Sequence, residues 1–189
     1  MKLKDIVKPE NRAEWEAKGY SLPQYDRAAM IARTKENPTW IHFGAGNIFR
    51  AFPAAVLEGM LNREEADTGV IVAEGFDYDI IDMAYRPYDD LSLLVVLKAD
   101  GSIEKRVVGS VAESLKADTE SEDFERLCEI FRNPSLQMVT FTITEKGYSL
   151  WTADGSYNRA AAEDFSSRGL RPQTAMGKGA ALLCVRVCV

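Results

Sequence analysis

The feature that most constrains the fold is a glycine-containing junction between a strand-like segment and a helical one. Thr39–Phe43 is rich in aromatic and β-branched residues, as expected of a strand, and Gly44-Ala45-Gly46 follows it directly. Asn47–Arg63 then carries apolar residues at helical spacing, which predicts one helix. A strand that turns through two near-adjacent glycines into a helix presents backbone N–H groups at the helix N-terminus, where anions bind.

Gly44 and Gly46 are expected to have different structural roles. Gly44 permits the tight turn, and Gly46 lets a pyrophosphate approach the main chain because no Cβ is in the way. A third glycine of the common G-x-G-x-x-G pattern would fall at position 49, which is Phe49. Arg50, one turn into the helix, is a candidate partner for a phosphate or an exposed helical arginine. The pattern alone leaves a nucleotide site and an ordinary glycine-rich turn as alternatives.

An acidic residue at the end of the next strand favours the nucleotide site. The apolar run Gly69–Ala73 reads as a strand buried on both faces, and it ends on Glu74. A carboxylate at this place accepts hydrogen bonds from an adenosine ribose and repels a 2′-phosphate, so the pattern favours NAD over NADP. Asp77 on the same loop is an alternative for this role, and a solvated loop carboxylate is the alternative for Glu74.

The remaining segments complete an α/β pattern. Leu91–Lys98 and Ile103–Val111 are β-rich and are joined by a turn that contains Asp100-Gly101, a hairpin signal. Glu122–Arg132 is helical, and Leu136–Thr144 is a further β-like run. The order of these segments predicts a Rossmann-like doubly wound sheet with an antiparallel hairpin insertion.

The N-terminal residues precede this pattern and are predicted to be helical. Pro9–Gly19 reads as a short charged helix closed by its glycine. Asp26 is a candidate N-cap for a second helix over Arg27–Lys35, which Asn37-Pro38 ends. We therefore expect residues 1–38 to form a helical extension.

Composition excludes several classes of function. A total of 23 Lys+Arg against 29 Asp+Glu gives a net charge of −6, which argues against nucleic acid or an anionic membrane as a partner. The single histidine excludes multi-histidine metal sites, and as His42 in a strand it is expected to be a hydrogen-bonded core residue. Cys184 and Cys188 have the spacing of a metal half-site but lack a second pair, so incidental thiols are expected. With no apolar span, a cytoplasmic location follows as the expectation.

Two segments resemble those of a known family. The turn Phe43–Arg50 resembles the Gly-x-Gly-x-x-x-Arg turn of the polyol-specific long-chain dehydrogenases, which include mannitol 2-dehydrogenase and fructuronate reductase (D-mannonate oxidoreductase). Thr142–Tyr148 resembles their Thr-Glu-Lys-Gly-Tyr loop, which is far more specific than a pair of glycines. In many members a histidine follows the arginine by two residues, and here that place is Phe52. The similarity runs from about Trp40 to about Lys178.

The resemblance implies a metal-independent oxidoreductase that interconverts a ketose or keto-hexuronate with its polyol or hexonate. It places an incomplete NAD-binding domain over residues 39–189. The residues expected to bind the cofactor comprise the glycine turn, the acidic strand end and the Thr-Glu-Lys loop, namely Gly44, Gly46, Asn47, Ile48, Phe49, Arg50, Glu74, Asp77, Thr144, Glu145 and Lys146.

The resemblance also implies that catalytic residues are absent from this chain of 189 residues. Members of the family run to several hundred residues, and a helical C-terminal domain supplies their catalytic lysine and their substrate contacts. We therefore expect a truncated domain that binds cofactor without turnover, and that forms a homodimer or has low stability because sheet surface is exposed. A non-catalytic nucleotide-binding or interaction module and an S-adenosylmethionine-dependent methyltransferase are the alternatives.

Overall fold

The computed structural model of the chain describes residues 2–6, 8–168 and 172–187, with only the backbone described for residues 5, 9, 145, 146 and 187. Its strands are β1 (Tyr20–Ser21), β2 (Trp40–Phe43), β3 (Val70–Glu74), β4 (Ser92–Leu97), β5 (Ile103–Val108), β6 (Val111–Lys116) and β7 (Met138–Phe141). Its α-helices are α1 (Pro9–Ala17), α2 (Arg27–Glu36), α3 (Asn47–Ala51), α4 (Pro53–Asn62), α5 (Glu122–Arg132), α6 (Glu145–Tyr148), α7 (Arg159–Ser166) and α8 (Ala175–Val187).

A parallel sheet with the order β6-β3-β2-β7 forms the centre of the fold. Ile41 of β2 pairs with Ile71 of β3 on one side and with Val139 of β7 on the other. The chain thus leads outward from β2 through β3 to β6 and then returns to the opposite side of β2. This reversal confirms the predicted doubly wound topology, and it puts the switch point, where such sheets bind ligands, between β2 and β7.

Helices cover both faces of the parallel sheet. Val70 and Val72 of β3 pack into a buried cluster with residues of α3 and α4. Ile71 and Ala73, which alternate with them, pack on the other face with residues of α5 and α8. Both faces of β3 are therefore apolar, which explains why its sequence shows no polar alternation.

The helix predicted over Asn47–Arg63 is two helices, so that prediction was wrong. The chain bends at Phe52 (φ −123°, ψ −74°), and α4 begins at Pro53. Proline has no backbone N–H and its ring clashes with the preceding turn, so it is tolerated at the first position of a helix and not in the interior. The helix after the glycine turn is consequently only five residues long.

The β-rich run Ile103–Val111 is also divided, and its second part begins a strand that the sequence did not predict. β4 and β5 form the expected antiparallel hairpin, with Gly101 at φ +82° in its turn. The chain then bends at Gly109 and continues as β6, which pairs in parallel with β3. β6 contains polar residues because it lies at the edge of the sheet, where part of the strand is only half-buried. These polar residues interrupt the apolar pattern by which a strand is recognised in a sequence.

The N-terminal segment is held against the hairpin by buried polar contacts. The Asp26 side chain accepts a hydrogen bond from the Ala29 N–H, which confirms the predicted N-cap of α2. The buried Arg27 guanidinium donates to the carbonyl oxygen of Gly109 (3.1 Å) and pairs with the Asp89 carboxylate (2.7 Å). The boundary at residue 38 stays a prediction.

Two further expectations concern the cysteines and the membrane. Cys128 and Cys184 are free thiols, half-buried and exposed respectively, and Cys188 lies outside the described residues. Within the described ranges, no group of histidine, cysteine and acidic side chains is arranged to hold a metal ion. No helix of the described chain has the length and apolar character that a membrane crossing requires.

Candidate functional site

The glycine turn lies at the carboxyl end of β2 and is held in a conformation that requires glycine at its first position. Gly44 has φ +110°, and its N–H donates to the carbonyl oxygen of Ala73 (2.8 Å). A Cβ atom at Gly44 would lie 2.5 Å from the carbonyl oxygen of Thr142. Both the backbone angle and the contact with β7 therefore exclude a larger residue here.

Gly46 has a different environment because it faces open space. It is the N-cap residue of α3, with φ −72° and ψ −177°, and no described side chain caps this helix. A Cβ atom at Gly46 would meet nothing within 4 Å. The first amide groups of α3 thus border a space that the protein does not fill, as a site for an anionic group requires.

The Glu74 carboxylate fastens the glycine turn to the loop after β3. Its Oε2 accepts from the Ala45 N–H (2.8 Å), and its Oε1 accepts from the N–H groups of Gly75 (2.9 Å) and Phe76 (3.0 Å). Three of the roughly four acceptor positions of the carboxylate are therefore used within the protein. Glu74 still lines the cavity, while the Asp77 side chain is exposed and is absent from the cavity lining.

Arg50 lies close to this turn with an unsatisfied donor. Its Nη2 donates to the Asn47 side chain (2.5 Å), and its guanidinium carbon lies 5.7 Å from the centre of the Tyr85 ring. Its Nε is buried and has no hydrogen-bond partner in the described structure. A buried N–H without an acceptor is costly, so a movement of the Arg50 side chain that brings Nε to an anionic ligand would gain a hydrogen bond.

A cavity of about 730 Å³ connects these elements at the switch point between β2 and β7. Its lining combines the glycine turn, the end of β3, the end of β7 and the start of α8, namely Phe43, Gly44, Gly46, Asn47, Ile48, Glu74, Gly75, Phe76, Phe141, Thr142, Ile143, Thr144, Gly147, Tyr148 and Ala175. Thr144 is therefore brought together with the turn, as expected. The side chains of Glu145 and Lys146 lie outside what the structure describes.

His42 is part of a hydrogen-bond chain beneath the turn, as its predicted core role requires. Trp40 Nε1 donates to Thr140 Oγ1 (2.7 Å), and Thr140 Oγ1 contacts His42 Nδ1 (2.7 Å). His42 Nε2 contacts Thr142 Oγ1 (2.9 Å), which donates to the Gly44 carbonyl oxygen (3.3 Å). Since an indole N–H only donates and a carbonyl oxygen only accepts, the chain is consistent when His42 is neutral with its proton on Nε2.

Burial keeps this imidazole neutral. The His42 ring is almost fully buried and stacks on Phe49 with ring centres 4.4 Å apart. Removal from water disfavours the charged form and lowers the pKa of His42 to about 4. Below pH 6.5 the unfolded chain binds a proton that the folded chain does not, so folding stability falls as the pH decreases from 6.5 towards 4.

The titration of His42 is directly measurable. Because His42 is the only histidine of the chain, its ring signals in an NMR spectrum are unambiguous. We expect no protonation between pH 8 and pH 5, and ring nitrogen shifts typical of the Nε2–H form. Unfolded protein in urea supplies the control, with a midpoint near 6.5. A midpoint near 6.5 in the folded chain would contradict the hydrogen-bond chain described above.

Sequence reasoning did not identify two residues beside the cavity. Thr142 directly follows β7 and lies two residues after Thr140, and this spacing was the available signal for a polar face towards His42. Lys178 is the one charged residue in the first ten residues of α8, which are otherwise apolar residues and glycines. This isolated charge is also a recognisable signal.

Lys178 of α8 holds the loop after Glu74 through hydrogen bonds. Its ammonium group is buried and donates to the Gly75 carbonyl oxygen (2.6 Å) and to the Tyr78 hydroxyl (2.7 Å). Burial lowers the pKa of Lys178 and raises the pKa of Tyr78 to about 12. These contacts join α8 to the loop that follows Glu74. A smaller polar cavity of about 290 Å³ adjoins Lys178.

Comparison with known proteins gives relatives of the expected kind. The chain is 50% identical over 176 residues to D-mannonate oxidoreductase of Thermotoga maritima, a match that covers 93% of this chain and 33% of that protein. It is 29% identical over 163 residues to polyol:NADP oxidoreductase of Gluconobacter oxydans, covering 83% of this chain and 33% of that protein. No family model matches the chain.

Solved structures show the same architecture. A substrate-free D-sorbitol dehydrogenase is 26% identical, with a TM-score of 0.71 over 90% of this chain and 34% of that one. A ternary complex of Pseudomonas fluorescens mannitol 2-dehydrogenase with NAD and D-mannitol is 23% identical, with a TM-score of 0.70 over the same shares. The resemblance to the polyol-specific long-chain dehydrogenases is confirmed. This chain spans about a third of the length of these dehydrogenases and matches their N-terminal part.

Proposed function

We propose that this chain binds a nicotinamide dinucleotide across the carboxyl ends of β2, β3 and β7. The observation that carries the proposal is the open space at Gly46, where the first amide groups of a helix border a cavity of about 730 Å³. The guanidinium of Arg50, whose Nη2 now contacts the Asn47 side chain, provides a positive charge for a phosphate next to the same turn. Both features fit a pyrophosphate, because its oxygens accept hydrogen bonds from backbone N–H groups and its negative charge pairs with a guanidinium.

The residues of the turn would act mainly through their backbone. Gly46, Asn47 and Ile48 line the cavity, and their amide groups are available to pyrophosphate oxygens. The Phe49 side chain is fully buried against His42, so only its backbone could contribute. Arg50 would exchange part of its contact with Asn47 for a contact with a phosphate.

The Glu74 carboxylate would accept a hydrogen bond from a hydroxyl group of the adenosine ribose, and its negative charge would disfavour a 2′-phosphate. Its one remaining acceptor position allows one ribose hydrogen bond in addition to the three backbone contacts. Its negative charge supports NAD over NADP, as in the solved mannitol 2-dehydrogenase complex, although one relative is named for NADP. Asp77 is exposed and is the second candidate for this contact.

The opposite end of the cavity would hold the nicotinamide. Thr144 lies there in the segment between β7 and α6, and Glu145 and Lys146 begin α6. When bound, the cofactor accepts or supplies a hydride at its nicotinamide ring. The chain's own residues orient the cofactor and enclose it. As part of a longer protein, this domain would serve an oxidoreductase that interconverts a ketose or keto-hexuronate with a polyol or hexonate.

Calorimetric titration of the 189-residue chain tests this assignment. We expect saturable binding of NADH, at least about tenfold weaker binding of NADPH because Glu74 repels its 2′-phosphate, and no binding of S-adenosylmethionine. Equal affinities for NADH and NADPH would contradict the role of Glu74. Binding of S-adenosylmethionine alone would favour the methyltransferase alternative, and absence of any binding would contradict the proposal. The cytoplasmic location and the homodimer stay predictions.

A further inference from the structure

The peptide group between Gly44 and Ala45 is held at both of its ends. Its carbonyl oxygen, on Gly44, accepts from the Thr142 hydroxyl (3.3 Å). Its N–H, on Ala45, donates to the Glu74 carboxylate (2.8 Å). Because C=O and N–H point in opposite directions in a trans peptide, these two contacts together fix the orientation of the peptide plane.

The Thr142 hydroxyl can serve this peptide only if its proton points towards Gly44. A hydroxyl group has one proton, and the neighbouring His42 Nε2 lies 2.9 Å from the same oxygen. A neutral His42 that accepts from the Thr140 hydroxyl through Nδ1 carries its proton on Nε2, and it then donates to Thr142. The hydroxyl proton of Thr142 is then free for the Gly44 carbonyl.

We propose that Thr142 is a positioning residue for the glycine turn, and that its hydroxyl, oriented by His42, fixes the Gly44–Ala45 peptide so that the first amide groups of α3 stay at the cavity. Its contact lies on the β7 side of the turn, and Glu74 provides the opposite contact from β3. Rotation of this peptide would break the hydrogen bond from Thr142 to the Gly44 carbonyl oxygen and the hydrogen bond from the Ala45 N–H to Glu74. As far as nucleotide affinity is concerned, this inference rests on the proposed function.

The test compares two substitutions at one position with a control at the other end of the sheet. Thr142→Val keeps the shape of the side chain and removes the hydroxyl, whereas Thr142→Ser keeps the hydroxyl. Thr68→Val removes a half-buried hydroxyl that contacts Thr39 (2.9 Å) before β3 begins, far from the turn. For each protein, amide hydrogen exchange of Ala45 is measured without nucleotide, and the dissociation constant for NADH is measured by calorimetry.

We expect Thr142→Val to accelerate exchange of the Ala45 amide about tenfold and to weaken NADH binding about tenfold, while Thr142→Ser and Thr68→Val behave as the wild type. Unchanged Ala45 exchange in Thr142→Val, or equal acceleration in Thr142→Ser, would overturn the inference. Unchanged NADH affinity in Thr142→Val would show that the contact does not position the nucleotide. If the wild type binds no NADH, the proposed function fails, and the exchange measurement still decides whether Thr142 holds the peptide.

Discussion

Replacement of Gly46 by valine is expected to leave the chain folded and to weaken NADH binding at least about 100-fold, which corresponds to about 2.7 kcal/mol. The backbone of Gly46 is extended (φ −72°, ψ −177°), so valine adopts it without strain. Its Cβ would meet nothing within 4 Å in the protein, and the side chain would extend into the space proposed for the pyrophosphate. Calorimetry with NADH measures the affinity, and thermal unfolding without nucleotide measures the stability.

Two other glycines provide the comparison. Gly59→Ala lies on α4, where the added Cβ would meet only the flexible end of Arg63, and it should leave binding unchanged. Gly44→Ala should lower the stability itself, because its Cβ would lie 2.5 Å from a backbone oxygen at φ +110°. If Gly46→Val bound NADH as well as the wild type does, the pyrophosphate would not lie against this turn.

Replacement of Arg27 by methionine is expected to lower the free energy of unfolding by about 3 kcal/mol. The guanidinium is buried and donates to the carbonyl oxygens of Gly109 and Val111 as well as to Asp89. Methionine fills a similar volume and satisfies none of these acceptors. Urea unfolding monitored by tryptophan fluorescence gives the difference in the free energy of unfolding.

Arg33→Met is the matched control for this substitution. Arg33 lies on the same helix, is exposed, and donates to the carbonyl oxygen of Asp67 (2.9 Å), so we expect a loss below about 1 kcal/mol. Equal effects of the two substitutions would show that the buried contacts of Arg27 do not join the N-terminal segment to the hairpin.

The parts of the fold that depend on local chemistry could be predicted from the sequence. The continuous apolar run before Glu74, the proline and glycine boundaries and the Asp100-Gly101 turn each determine local geometry with little help from tertiary contacts. The Asp26 cap belongs to the same class. These signals were sufficient for the doubly wound topology and for the position of the glycine turn.

The parts that depend on contacts between distant segments could not be predicted. β6 becomes a strand because β3 offers it an edge, and its own sequence alternates too weakly to show this. The break at Phe52 was readable from Pro53, yet the apolar spacing across it suggested one helix. Whether a segment forms a strand or a helix depends on the hydrogen-bond partners of its backbone, and these partners can be far away in the sequence.

The same distinction applies to the site. A strand-end carboxylate was predicted at Glu74, but its three bonds to backbone N–H groups depend on how the turn and the loop approach each other. Thr142 and Lys178 lie about 100 residues from the groups they contact, so no local pattern connects them to the turn. The sequence therefore indicated the segments that line the candidate cavity, and the structure added the groups that fix the shape of the turn.

The most direct test of the proposed site is an NMR titration of the isotope-labelled 189-residue chain with NADH. Saturable shifts are predicted for the amide groups of the glycine turn, the loop after Glu74 and the end of β7, including Gly46, Phe76 and Thr144. The absence of saturable shifts, or shifts confined to the smaller cavity around Asp118 and Lys178, would contradict the account.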